Sequence, residues 1–285
     1  MVNTISFPGL GISAFEINRV AFHAGPFTVY WYGVIICVGI LLGLSYMYFR
    51  LKGYGMTGDD LTDIALVTVP CAIVGARVYY VLTSLDEFSS FYDMIAIWNG
   101  GIAIYGAVIA GALAIYFVSR AKKLPVLKVF DSAAPAVMLG QIIGRWGNFV
   151  NAEAFGGAEK YEFFGKVFDI SHFSQVNIFR MEINGVTVHP TFLYESVWNL
   201  LGFVLINVFY KKKSFDGEIL LWYLTWYGFG RCFIEGFRTD SLFVGNIRIS
   251  QLVGLLCFVF GLALTLFFAF RAGKNKAPLD GGDGK

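Results

Sequence analysis

The chain has 285 residues, of which 56% are hydrophobic and 15% charged, with 29 Phe, 15 Tyr and 6 Trp. Water-soluble domains carry about 25% charged residues and at most about half apolar ones, so this composition excludes an ordinary soluble globule and points to lipid contact. A formal net charge of +2 leaves no basic footprint of the kind that nucleic acid requires. In chain order, seven apolar stretches cover 28–49, 61–82, 100–118, 130–150, 191–210, 218–237 and 248–270. Each is near the ~20 residues that a ~30 Å hydrocarbon layer demands. They predict an all-α, polytopic membrane fold with seven transmembrane helices. No basic N-terminal stretch leads into a short apolar one, so no cleavable signal peptide is expected.

The loops set the expected orientation. One set of connections, with the C-terminal segment, carries thirteen Lys and Arg residues, including Arg50, Arg120, Lys128, Lys211 to Lys213 and Arg271. The opposite set carries six: Arg19, Lys160, Lys166, Arg180, Arg238 and Arg248. Basic residues accumulate on the cytoplasmic side, which places the N-terminus outside and the C-terminus in the cytoplasm. The longest connection, 151–190, then lies outside as a small subdomain between helices four and five. Its alternating QVNIFRMEI (175–183) and the turn Asn184–Gly185 predict a hairpin. Residues 1–272 are expected to form one membrane-embedded catalytic domain, and the polar tail 273–285 to be disordered. Cys37, Cys71, Cys232 and Cys257 lie in apolar stretches without metal-ligand spacing and read as small hydrophobes; no metal is expected.

Three arginines fall inside the spans, each near an expected outer end: Arg77, Arg145 and Arg231. A charge there costs several kcal/mol by the mildest scales, so it faces a partner, the bundle interior or a wet cavity. In GRCFIEGFR, Arg231 and Glu235 share a helical face, and Arg238 follows three residues later. The pair serves either as a structural ion pair or as a fixed cation for a phosphate. In GRWGNFVN, Arg145 and Asn148 share a face, which Asn151 continues. At the same expected depth lie Tyr32 with Tyr30 and Trp31, Tyr105 in NGGIAIYG, and His189 and Glu195 in HPTFLYE. Asp131 reads as a cap at the cytoplasmic start of helix four. The cluster suggests handling of an anionic phospholipid at the outer face. A transporter or flippase for such a lipid is the alternative, and would continue its polar groups to the cytoplasmic side.

GRWGNFVNAEAFG (144–156) resembles the signature of the bacterial prolipoprotein diacylglyceryl transferases. FPGLG, the WYG of the first helix, NGGIAIYG, HPTFLYE and RCFIEGFRTDS follow in the family's order. The resemblance implies transfer of the sn-1,2-diacylglyceryl group of phosphatidylglycerol to the lipobox cysteine of a preprolipoprotein. A thioether forms and glycerol 1-phosphate leaves, in the bacterial cytoplasmic membrane, with the site toward the outer leaflet and no cofactor. It further implies that Arg145 and Arg231 bind the phosphate, that Asn148, Glu153 and Glu235 complete the polar site, and that Tyr32 is the family's essential tyrosine. Arg238, Asn151, His189 and Glu195 are expected to contact substrate. One departure stands out: many members carry His-Gly-Gly where this chain has Tyr105-Gly106-Ala107. A phenol with an ordinary pKa near ~10 is a poor base at neutral pH, so either Tyr105 orients the lipid through its hydroxyl or the thiol is deprotonated elsewhere, by Glu235 or the departing phosphate.

Overall fold

The computed structural model describes residues 2–276. Four strands come first: β1 (Val2–Phe7), β2 (Ile12–Asn18), β3 (Val20–Ala24) and β4 (Phe27–Tyr30). The helices α1 (Trp31–Lys52), α2 (Gly58–Thr83), a short α3 (Phe91–Ile95), α4 (Ile104–Ala121) and α5 (Val126–Asn151) follow. A mixed region holds β5 (Gly156–Gly157), β6 (Lys160–Phe163), β7 (Lys166–Asp169), α6 (Ser171–Val176), β8 (Met181–Ile183) and β9 (Val186–His189). Then come α7 (Thr191–Phe209), α8 (Glu218–Ile234), β10 (Phe243–Val244), β11 (Ile247–Arg248) and α9 (Ile249–Lys276). Residues 277–285 of the expected polar tail lie outside the described residues.

The fold is mostly helical rather than all-α, because the non-spanning segments pair with one another as strands. Among the described residues, six helices are long and apolar enough to cross a membrane: α1, α2, α4, α5, α7 with its extension to Lys212, and α9. The expected sixth span, 218–237, ends earlier. Its helix α8 has 17 residues and tightens into a 3-10 turn over Glu235–Phe237. Helix α5 starts at Val126, earlier than the expected 130, so Asp131 sits fully buried inside the helix and is not a cap. Thr57 supplies a true cap on α2, with Thr57 and Asp60 exchanging side-chain to backbone hydrogen bonds.

The chain forms two compact units, residues 44–133 and residues 1–43 with 134–285. In the first, α2 and α4 approach through glycine. A Cβ on Gly106 would collide with the Gly75 carbonyl and with the Tyr79 side chain. Small residues let membrane helices touch backbone to backbone, so Gly106 serves packing. Arg77, expected to join the other intramembrane arginines, instead spends its donors on backbone carbonyls. It donates to Met94 O (2.9 Å), Asp93 O (2.5 Å), Gly100 O (2.5 Å) and Gly101 O (2.6 Å). Gly100 and Gly101 both have positive φ (87° and 74°), which a side chain would strain.

The second unit joins a sheet to the ends of helices. The sheet order is β2-β1-β8-β9-β5, antiparallel throughout, with Ile5 opposite Ile183 and Gly156 opposite His189. The hairpin expected around Asn184–Gly185 is present as β8–β9, but residues 175 and 176 belong to α6 rather than to a strand. Ile5, Phe7, Met181, Ile183, Val188 and Phe192 form its core, with Phe149 and Phe155 packed against it. The sheet thus rests on the end of α5 and the start of α7. Helices α7 and α8 are clasped by two tryptophans. Trp198 and Trp226 stack at 4.3 Å, and each indole Nε1 donates to the other's backbone carbonyl, at 3.0 and 2.8 Å. Each ring covers a glycine on the opposite helix, Trp198 over Gly230 and Trp226 over Gly202.

Candidate active site

The start of α7, the end of α8 with the 3-10 turn that follows it, and the last turns of α5 bring three arginines onto one carboxylate. Glu195, only 4% exposed, receives Arg145 Nη2 at 2.5 Å, Arg231 Nη1 at 2.7 Å and Arg238 Nη1 at 3.4 Å. Glu235, buried one turn beyond Arg231, takes Arg231 Nη2 at 2.6 Å and lies 3.8 Å from Arg238 Nε. Arg238 also forms a two-pronged pair with Asp240, Nε to Oδ1 at 3.0 Å and Nη2 to Oδ2 at 2.8 Å. Burial pushes the Asp240 carboxyl up, but Arg238 outweighs it and holds the group below its usual range. Three cations meet three anions, so the hub is neutral. Its carboxylates fix the guanidinium planes, and each guanidinium has five N–H donors, more than these pairs use.

The signature stretch surrounds the most exposed of the three, Arg145. Its Nη1 donates to Asn148 Oδ1 at 3.3 Å, and Asn148 Nδ2 donates to Glu153 Oε1 at 3.1 Å. The helix stops at Asn151, and the chain turns through Ala152 and Ala154 with φ of +50° and +56°. Such left-handed non-glycine residues cost about 1–3 kcal/mol each and persist only where the surroundings enforce them. Here Glu153 N is held by Asn148 O at 3.0 Å, while Ala154 O accepts from the Thr191 hydroxyl at 2.5 Å. Tyr32 lies against the signature as well. A Cβ on Gly147 would come within 2.6 Å of its ring, and its hydroxyl feels the charges of both Glu153 and Arg145. Gly147 is therefore the seat of Tyr32.

Of the expected site residues, Arg145, Arg231, Arg238, Glu195, Glu235, Asn148, Glu153 and Tyr32 come together. Asn151 ends α5 beside them. Tyr105 lies in the other unit, in the first turn of α4, its ring 6.1 Å from that of Tyr79. His189, expected to contact substrate, has protein partners on both ring nitrogens. Nε2 lies 2.7 Å from Ser174 Oγ and Nδ1 3.0 Å from the Tyr194 hydroxyl. The Ser174 hydroxyl faces the carbonyls of Ala158 and Ile170 and spends its one proton on them, so His189 donates from Nε2 and accepts at Nδ1. Burial pulls its pKa from 6.5 down to about 4. Unfolded chain therefore binds this proton more readily, and stability is complete above about pH 6.5 and falls as the pH drops toward 4. We expect the unfolding midpoint of the purified protein to fall across that window, by up to ~1.4 kcal/mol per pH unit, and Asn in place of His189 to remove that part of the slope.

Asp240, Ser250 and the tryptophan clasp escaped sequence reasoning. Arg231 Nη2 reaches Ser250 Oγ at 3.4 Å. The acid two residues after Arg238 and the repeated Trp-x-x-x-Gly of 198–202 and 226–230 were the signals available. Among the described residues, no group of three or more His, Cys, Asp or Glu side chains could hold a metal ion.

Apolar helices that bury a hub of three arginines on two glutamates define a polytopic membrane protein with a desolvated ionic site. The family model for prolipoprotein diacylglyceryl transferase matches residues 19–267. The phosphatidylglycerol–prolipoprotein diacylglyceryl transferase of Lysinibacillus sphaericus is 44% identical over 254 residues, 88% of this chain and 92% of that protein. Enzymes of the same name from Streptococcus equi subsp. zooepidemicus and Clostridium kluyveri are 44% and 43% identical over 263 residues, each aligned over 91% of this chain and over 97% and 99% of their own lengths. The chain belongs to the prolipoprotein diacylglyceryl transferase family.

Proposed function

We propose that this protein transfers the sn-1,2-diacylglyceryl group of phosphatidylglycerol to the lipobox cysteine of preprolipoproteins, the first step of bacterial lipoprotein maturation. The convergence of Arg145, Arg231 and Arg238 on Glu195 is the observation that carries this reading within the family. A phosphodiester holds one negative charge and the departing monoester holds up to two. Donors already fixed by Glu195, Glu235 and Asp240 bind that growing charge without rearranging, so they favour the transition state over the bound lipid. Holding the thiol against carbon three of the glycerol supplies further rate.

In this reading the chain sits in the bacterial cytoplasmic membrane with seven spans, α8 being a short seventh. The N-terminus is outside, the C-terminus cytoplasmic, and the hub lies toward the outer leaflet. The sheet built from the N-terminal strands and the 151–190 connection is the external part of a single catalytic domain reaching about residue 272. Asn148, Glu153 and Tyr32 contact the reacting groups, and no soluble cofactor takes part. Tyr105 orients lipid at most, and Phe in its place is expected to retain most transfer activity with radiolabelled phosphatidylglycerol. The deciding experiment incubates the purified protein with phosphatidylglycerol and a lipobox peptide and weighs the peptide. A diacylglyceryl mass increase that disappears when the peptide cysteine is changed to serine supports the reading; no increase refutes it.

A further inference from the structure

The transfer needs a group that removes the thiol proton, and the carboxylates of the hub are poorly suited to it. Glu195 and Glu235 are buried at 4% and 1% exposure and face arginines at 2.5–2.7 Å; Asp240 is held by both prongs of Arg238. These carboxylates are already committed to guanidinium partners, and the two glutamates have almost no open face for a thiol to approach. Glu153 is different in kind. Its side chain is exposed, no ion pair holds it among the described residues, and its hydrogen bond comes from the neutral amide of Asn148. The charged or titratable groups facing it are Arg145, which reaches it through Asn148, and the Tyr32 hydroxyl. Ala152 and Ala154, both left-handed, flank it, and its backbone N–H donates to Asn148 O at 3.0 Å. The chain Arg145–Asn148–Glu153 therefore sets an open carboxylate at a constant offset from an arginine of the phosphate clamp.

We propose that Glu153 is the general base of the transfer, an assignment that rests on the reaction proposed above. Its carboxylate takes the lipobox thiol proton as sulfur attacks carbon three of the diacylglyceryl glycerol. The S–C bond forms while the C–O bond to phosphate breaks, its electron pair leaving on the phosphate oxygen. The proton then passes from Glu153 to that oxygen or to water.

The test compares two lipobox peptides, one with cysteine and one with selenocysteine, whose selenol is already ionised at neutral pH and needs no base. With the cysteine peptide, Glu153→Gln is expected to slow transfer by about 10²–10⁴-fold. The residual rate should climb about tenfold per pH unit toward the thiol pKa near ~8.5. The selenocysteine peptide is expected to bring Glu153→Gln back to within about tenfold of the parent. Glu153→Asp, which keeps the carboxylate, should show a smaller preference for selenium and serves if the Gln variant does not fold. Equal losses on both peptides, or an unchanged rate on the cysteine peptide, overturn the assignment. A parent protein that modifies neither peptide overturns the transfer reaction itself, and the base with it.

Discussion

Replacing Glu195 by alanine is expected to lower the stability of the protein by ~3–5 kcal/mol and to abolish transfer. The reason is the geometry around one carboxylate. Three guanidiniums lie 2.5, 2.7 and 3.4 Å from it, in a setting where its side chain is only 4% exposed. Without Glu195, Arg145 loses its ion pair to the hub, and Arg231 and Arg238 share Glu235 alone beside Asp240. Breaking a buried pair from one side leaves uncompensated charge in low dielectric, which is far costlier than never having the pair. Glutamine at 195 keeps the shape and removes the charge, so it should reproduce most of the loss. Unfolding midpoints in detergent, read beside the peptide mass assay, measure both effects. A glutamine variant within about 1 kcal/mol of the parent would show that the hub does not depend on charge.

The second large effect concerns chemistry more than stability. Arg231→Lys is expected to reduce transfer by about 10²–10³-fold, the scale of losing one fixed donor to a developing anion. Arg231 uses both ends of its fork, Nη1 on Glu195 and Nη2 on Glu235, with Ser250 also in reach. An ammonium is a single point charge on a flexible stem and cannot hold both carboxylates while presenting a plane to phosphate. The fold should survive, since one cation remains among the same anions. Transfer at the parent rate in Arg231→Lys sinks the clamp role.

Long apolar runs made legible the six helices that are long and apolar enough to cross a membrane, because the ~20-residue requirement is local and strong. The N-terminal strands were not. β1 has two partners, the adjacent β2 and, about 180 residues away, β8 with Ile5 opposite Ile183, and no local pattern announces the second pairing. The intramembrane charges pointed to the site, yet Arg77, which like Arg145 and Arg231 falls near an expected outer end of a span, turned out to close a loop through backbone carbonyls. Only packing separates an arginine that holds a carboxylate from one that holds a turn. Glu195 was legible as a polar residue at the depth of the arginines. That it serves three arginines at once follows from helices meeting, not from spacing. His189, expected to contact substrate, has its ring nitrogens on Ser174 and Tyr194, and Ser174, fifteen residues earlier, lies too far along the chain for spacing to reveal it.

Trp198 stands three residues after Glu195, and Gly230, which it covers, immediately precedes Arg231. The clasp between α7 and α8 is therefore a ruler for the ion pair beside it. Parting these helices would break two indole hydrogen bonds and a stacked ring pair together, before any charge had moved. A lipid with two acyl chains has to be admitted somewhere along the bundle, and this clasp holds the α7–α8 seam against opening.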